Sequence, residues 1–368
     1  MTRSVLATPA VLVGLVIFVP PAGADDDPGG SFLGRFHTIT MTASTVPANG
    51  DVNPYGVAVV PRSVGALVED SVLVSNFNNS ANLQGTGTTI MQIRADGATS
   101  VFAQLSAASL PGACPGGVGL TTALVVLRSG WVIVGSLPTS NGQAATAQAG
   151  CLIVLDSSGK PVETFSGGQI NGPWDMTALD LEHAAVLFVT NVLNGTVAGG
   201  GNVVNGGTVA RLLLGIPEGG MPRLVSSTVI GSMFGERTDP AALVIGPTGV
   251  GLGPDGALYV ADTLANRIAA IPNAIFRTTS ANTGITVSMG GAINGPLGLA
   301  ITPNHHILVA NANDGNLVEV ARVGVQVAVK PVDTSGQGAG TLFGLAIAPE
   351  GKGVYFVNDG NNTLNLLH

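Results

Sequence analysis

The side chains of this sequence most able to do chemistry are oxygens that recur at one place in a repeated pattern. Six short apolar runs, DSVLVSN (70–76), GWVIVGS (130–136), AVLFVTN (185–191), GALYVAD (256–262), HILVANA (306–312) and GVYFVND (353–359), carry Asn76, Ser136, Asn191, Asp262, Asn311 and Asn358 at or near their ends. Gathered around one axis, such oxygens suit calcium, which takes six to eight hard oxygen ligands. Asp175, Asp262, Asp314 and Asp359 are the nearest carboxylates, and Asp175, Asn191 and Asp262 form the smallest candidate metal set. The same residue types also close turns by bonding their own backbone two positions on, so both readings stand at these positions. Asn191, Asp262, Asn311 and Asn358, with Trp174 and Asp175 of GPWDM (172–176), are equally the candidate contacts for a polar ligand. Trp174 could stack on such a ligand or pack between structural units.

Other chemistries find little footing. The sequence has no Gly-x-Ser-x-Gly elbow, no His-Glu-x-x-His, no phosphate loop and no haem motif. GGGNVVNGG (199–207) does not open a helical pattern, so it is no dinucleotide fingerprint. Glu236 and Asp239 are the one loop pair of carboxylates close in sequence. The histidines, His37, His183, His305, His306 and His368, are scattered. No catalytic residue set emerges, and no cofactor is implied beyond possible calcium.

The elements that must position these residues are strands. First strands are expected in NPYGVAVVP (53–61), TTALVVL (121–127), GPWDMTALDL (172–181), GPTGVGLGP (246–254), GPLGLAITP (295–303) and TLFGLAIAP (341–349). The six runs above supply second strands, and TTIMQIRADG (88–97), GCLIVLDSSG (150–159), GTVARLLLGI (207–216), NRIAAIP (266–272), GNLVEVA (315–321) and NTLNLL (362–367) supply third strands. Fourth strands are expected in TSVFAQL (99–105), KPVETF (160–165), PRLVSSTVI (222–230), TGITVSMG (283–290) and VGVQVAVK (323–330). The equivalent positions Gly56, Ala123, Asp175, Gly249, Gly298 and Gly344 follow at intervals of 67, 52, 74, 49 and 46 residues. Four short antiparallel strands per unit at such spacing predict an all-β, six-bladed β-propeller. The 53 glycines and 22 prolines sit between the runs and mark turns. The sixth unit stops at its third strand, so the β-branched and aromatic stretch 31–42 is expected to supply the fourth and close the ring, because unpaired strand edges are costly.

Residues 1–24 read as a cleavable signal peptide: Arg3, an apolar run from Val5 to Val19, then Ala22-Gly23-Ala24. Residues 25–30 read as a linker and 31–368 as a single propeller domain. The protein is thus expected to be exported, periplasmic or extracellular, with no membrane span after signal cleavage. Export makes a Cys114–Cys151 disulfide the one intramolecular pairing available. Without Arg3, 13 basic face 22 acidic residues, which gives no footprint for nucleic acid.

The unit GPTGVGLGPDGALYVADTLANRIAA (246–270), echoed at 295–320, resembles an NHL repeat, and the whole resembles six-bladed propellers of the NHL and gluconolactonase/regucalcin-like group. That resemblance implies a propeller fold and, among the family's activities, metal-dependent lactone hydrolysis, zinc-dependent lyase chemistry or plain binding. Lactonases of the group carry an early glutamate before proline, where this sequence has Asn53, and Asn171 and Asp175 echo their later ligands. Insertions at 78–89, 137–150, 191–207 and 233–246 fall on one face, rich in Asn, Gln, Thr and Gly. Their composition suits a polar neutral ligand such as a glycan, or a protein partner. The leading expectation is ligand or partner binding on that loop-rich face; the alternatives are a metal-dependent hydrolase or lyase and a structural envelope protein.

Overall fold

The computed structural model describes residues 30–368. The expected signal peptide, residues 1–24, and all but the last residue of the expected linker lie outside them. Six antiparallel sheets form the described chain. Blade one is Val52–Val59, Val72–Asn78, Thr89–Ile93 and Thr99–Gln104; blade two is Leu120–Val126, Val132–Ser136, Cys151–Leu155 and Pro161–Ser166. Blade four is Pro247–Leu252, Leu258–Asp262, Arg267–Ile271 and Ile285–Met289, and blade five is Pro296–Ile301, Ile307–Asn311, Asn316–Val320 and Gln326–Pro331. Each inner strand lies beside the inner strands of both neighbouring blades, the sixth beside the first. The molecule is the expected six-bladed β-propeller.

Blade three departs from the expected plan. Its fourth strand does not end near residue 230 but runs from Arg223 to Asp239, and a fifth strand, Leu243–Ile245, pairs with its far end. The stretch read as a loop over 233–246 is therefore largely sheet. The hairpin Val204–Gly215 with Arg223–Asp239 is long enough to carry the chain from the outer rim back to the axis.

Ring closure occurs as expected, with a shifted boundary. Ile39–Ser44 pairs antiparallel with Thr363–Leu367, from Ile39 opposite Leu367 to Ser44 opposite Thr363, and completes blade six outside Leu342–Ile347 and Val354–Asn358. Residues 31–36 are not part of that strand. Leu33–Arg35 is one 3₁₀ turn, and Phe32, Leu33 and Phe36 are buried between blades five and six with Leu308, Leu317, Leu342 and Phe356. The apolar spacing of these three residues fits a turn rather than a strand. One carboxylate fixes the turn: Glu319, fully buried in the third strand of blade five, accepts from Ser31 Oγ (2.6 Å), Phe32 N–H (2.9 Å) and Leu33 N–H (2.8 Å). His306 Nδ1 lies 2.7 Å from the same group. These donors hold the Glu319 carboxyl below its usual range against the opposing effect of burial.

The inner strands approach so closely that a Cβ is excluded at the glycines among the equivalent positions. A Cβ on Gly344 would overlap the Tyr55 carbonyl oxygen of blade one, and one on Gly298 would overlap the Phe343 carbonyl oxygen of blade six. Each first-to-second strand ladder is interrupted near this level. The Cys114–Cys151 disulfide forms, tying the segment before blade two to its third strand across 37 residues. Among the described residues no helix is long and apolar enough to cross a membrane.

Two measurements check this account. Glu319→Ala leaves buried donors unpaired and is expected to lower unfolding free energy in urea by on the order of 3–5 kcal/mol. The Cys114→Ser, Cys151→Ser double variant should lose about 4 kcal/mol, the chain-entropy value for a loop of this length, with the strand content in circular dichroism unchanged.

Candidate functional site

The second strands place their terminal oxygens beside the loops of the ring, and those loops use them. Asn76 Nδ2 donates to the Thr45 carbonyl (2.9 Å), and Ser136 Oγ accepts the Gly119 N–H (2.9 Å). Asn191 Oδ1 accepts the Asn171 N–H (2.8 Å), Asn311 Oδ1 accepts that of Asn294 (3.2 Å), and Asn358 Nδ2 donates to Asp333 Oδ1 (2.7 Å). Asp262 faces Arg267 Nε at 2.9 Å. Each clasps a neighbouring loop or strand, as short polar side chains do at turns.

Asp175 has a different setting. It occupies the position that is glycine or alanine in the other five blades, and its Oδ2 accepts the Val250 N–H of blade four at 3.1 Å. Asp175, Asn191 and Asp262 thus serve three separate partners. Among the described residues no three of His, Cys, Asp and Glu come together as a metal set. Calcium needs a convergent shell of oxygens, and the candidate triad does not present one.

The axis itself is blocked by aromatic rings. Tyr55 stacks between Phe77 (centroids 4.4 Å apart) and Phe343 (4.0 Å), with Trp174 at 5.7 Å from Tyr55 and 6.4 Å from Phe77. Trp174 is buried in this plug together with Val192, Leu193, Leu243 and Val244. The plug divides the axis into two cavities. Leu297 and Phe343 line the one on the loop-rich face, while the residues that follow them, Gly298 and Gly344, line the one on the opposite face.

The loop-rich cavity measures ≈ 600 Å³. Val244, Leu297 and Phe343 form its apolar side, and Arg237, Thr263, Asn266, Asn294 and Asn313 its polar rim. It does not lie under the long insertions of blades one to three. Those insertions carry Leu137, Val192 and Leu193 into the axial core and fill their own half. Gln84 Nε2 of the blade-one loop donates to the Pro240 and Ala241 carbonyls, both at 3.1 Å, and so holds the 239–243 turn across the axis. The cavity opens on the other half, among blades four to six.

Asp239 and Glu236, the paired loop carboxylates of this face, are both engaged. Asp239 pairs with Arg237 at 2.9 Å. Glu236 is fully buried and accepts the Asn194 N–H (2.9 Å) and the Thr196 hydroxyl (2.7 Å); burial pushes its carboxyl up to about 7. The pair therefore does not act on a shared point. His306 is bound to Glu319, at the opposite end of the blades.

The cavity on the opposite face, ≈ 370 Å³, is lined by the inner strands of all six blades, with Asp175 at its inner end. Burial raises the Asp175 carboxyl to about 7, opposed by hydrogen bonds from the Met176 and Val250 backbone. The position of Asp175 within a row of Gly and Ala was the sequence signal for this cavity. A raised carboxyl binds a proton more tightly folded than unfolded, so its contribution to stability is lost as pH rises from about 4 through about 7. Asp175→Asn should therefore stabilise the protein at pH 8, by on the order of 1 kcal/mol or more, and have little effect at pH 4; thermal melts at the two pH values check it.

No family model matches the sequence, and no curated protein does. Solved structures do. A gluconolactonase from Xanthomonas campestris superposes with a TM-score of 0.56 at 12% identity, over 89% of this chain and 88% of that one. A PQQ-bound aldose sugar dehydrogenase from Streptomyces coelicolor gives 0.55 at 15% identity, over 89% and 97%. Regucalcin, a calcium-binding protein from Agrobacterium tumefaciens, gives 0.52 at 13% identity, over 88% and 94%. Identities this low speak for fold and not for activity. The chain is a six-bladed β-propeller of the gluconolactonase and regucalcin architecture.

Proposed function

We propose that this is an exported binding protein that takes a small neutral ligand, with an apolar face and hydroxyl or amide edges, into the loop-rich cavity. A neutral sugar has that chemistry. One observation carries the reading: a ≈ 600 Å³ cavity in which an apolar side of Val244, Leu297 and Phe343 meets a rim of Thr and Asn side chains and the Arg237–Asp239 pair, whose opposite charges offset each other. Ligand sites combine apolar walls with a few placed polar groups in this way. Asn266 Oδ1 accepts the Gly295 N–H at 2.7 Å and its Nδ2 donates to the Ile293 carbonyl at 3.1 Å, so the rim is held in place before a ligand arrives. Export is supported by the Arg3-to-Ala24 leader pattern and by the disulfide, which forms and persists in oxidising compartments.

A hydrolase of the lactonase kind receives less support. It would need oxygens converging on one metal or on one scissile bond, whereas Asp262, Asp239 and Glu236 each serve a separate structural partner.

Calorimetry of the full chain against a panel of neutral mono- and disaccharides is the test. At least one should bind saturably, and Ala312→Trp, which places an indole in the cavity, should weaken that binding more than tenfold while the melting temperature stays close to wild type. Absence of binding across the panel, or binding indifferent to Ala312→Trp, overturns the reading.

A further inference from the structure

The cavity on the opposite face has features the loop-rich reading leaves unused. Each inner strand is the terminal strand of its sheet, so one row of backbone N–H and C=O groups per blade faces the axis without a ladder partner. The Val250 N–H spends itself on Asp175. One side chain adds to this polar inner end, the Asp175 carboxylate, which is 8% exposed. A carboxylate taken out of water is costly unless paired, and no cationic side chain lines the shaft beside it. Toward the open end the lining turns aliphatic: Leu252, Ile301 and Ile347 are the last residues of three inner strands. From Gly344 to Ile347 the strand advances roughly 10 Å.

We propose that this shaft is a second ligand site, for a primary alkylammonium ion with a short unbranched chain. The ammonium sits at the inner end, where it donates to the Asp175 carboxylate and to carbonyls of the inner strand edges that lack a ladder partner. The alkyl chain lies along Leu252, Ile301 and Ile347, and its length is bounded by the strand advance above. A neutral alcohol of the same length fills the same space without the charge. Asp175 and Asp180 are the titratable groups among the residues lining the shaft, and both are acidic. Asp180, near the mouth, is occupied by the Arg128 N–H at 2.7 Å.

Binding of the cation requires Asp175 ionised, whereas in the empty shaft burial lifts its carboxyl to about 7. Affinity should therefore fall about 30-fold between pH 8 and pH 5.5, the change in the ionised fraction of such a group. The experiment is calorimetry of the full chain with n-pentylammonium chloride and with n-pentanol. Support is saturable binding of pentylammonium, at least tenfold tighter than pentanol, with that pH dependence and lost in Asp175→Asn. Ala346→Trp, which narrows the shaft without touching Asp175, guards against misfolding of the aspartate variant and should also abolish binding. Equal affinity for the alcohol and the ammonium ion, or binding unchanged in both Asp175→Asn and Ala346→Trp, overturns the proposal. Because the site lies on the face away from the sugar cavity, Ala312→Trp should leave pentylammonium binding intact, so the two readings fail separately.

Discussion

Everything in this molecule depends on one antiparallel pairing, that of Ile39–Ser44 with Thr363–Leu367. A propeller is a ring of sheets, each stable only when its faces are covered by neighbours on both sides. Without the outer strand, blade six would present a bare edge, and the core between blades five and six would lose Phe32, Leu33 and Phe36. Glu319 makes the closure specific. A buried carboxylate left without its donors is expensive; His306 supplies part of the set from blade five, and residues 31–33 complete it by coming to this one place.

A closed ring also explains why the axis takes the form it does. Six inner strands meeting at close range leave room for Gly or Ala at the level of closest approach in five blades and for Asp175 in the third, and the aromatic plug above that level leaves no continuous pore. The two cavities therefore differ in character because different parts of the chain line them. Loops and the Leu243–Ile245 strand shape the one above, while strand edges shape the one below.

Much of the architecture is legible in the sequence because turns and strands are local. Gly-Pro and Pro-Asp-Gly turns at regular spacing delimit the inner and second strands, and a sixth unit lacking a fourth strand points to closure from the other terminus. The exact reach of the closing strand was not legible, since Phe32, Leu33 and Phe36 read as strand-forming until their partners on another blade are known. The informative residue was Glu319, a lone charge within the apolar run NLVEV. Long-range packing hid the rest. The loops of blades one to three look polar in composition, yet Leu137, Val192 and Leu193 inside them are enough to fold them over the axis. That displaces the open cavity to the half with shorter loops. The extension of blade three past residue 230 was hidden for a similar reason, as FGERTD is polar enough to read as loop until it is seen paired with Leu243–Ile245.

The order in which the chain is made now acquires a meaning. Thr40 and His368, which touch in the finished ring, are 328 positions apart. Contacts so distant in sequence are slow to form, because the entropy of the intervening loop opposes them until they are rewarded. Of the ring's strands, Ile39–Ser44 precedes all the others in sequence and pairs with the one that follows them all, so the seam can close only once all six blades exist. During that wait the molecule has two sticky ends that recognise each other, and in a crowded compartment the end of a second chain offers the same surface. Assembly by strand exchange between nascent copies is the natural hazard of this design, and dilution or a holding factor its natural remedy.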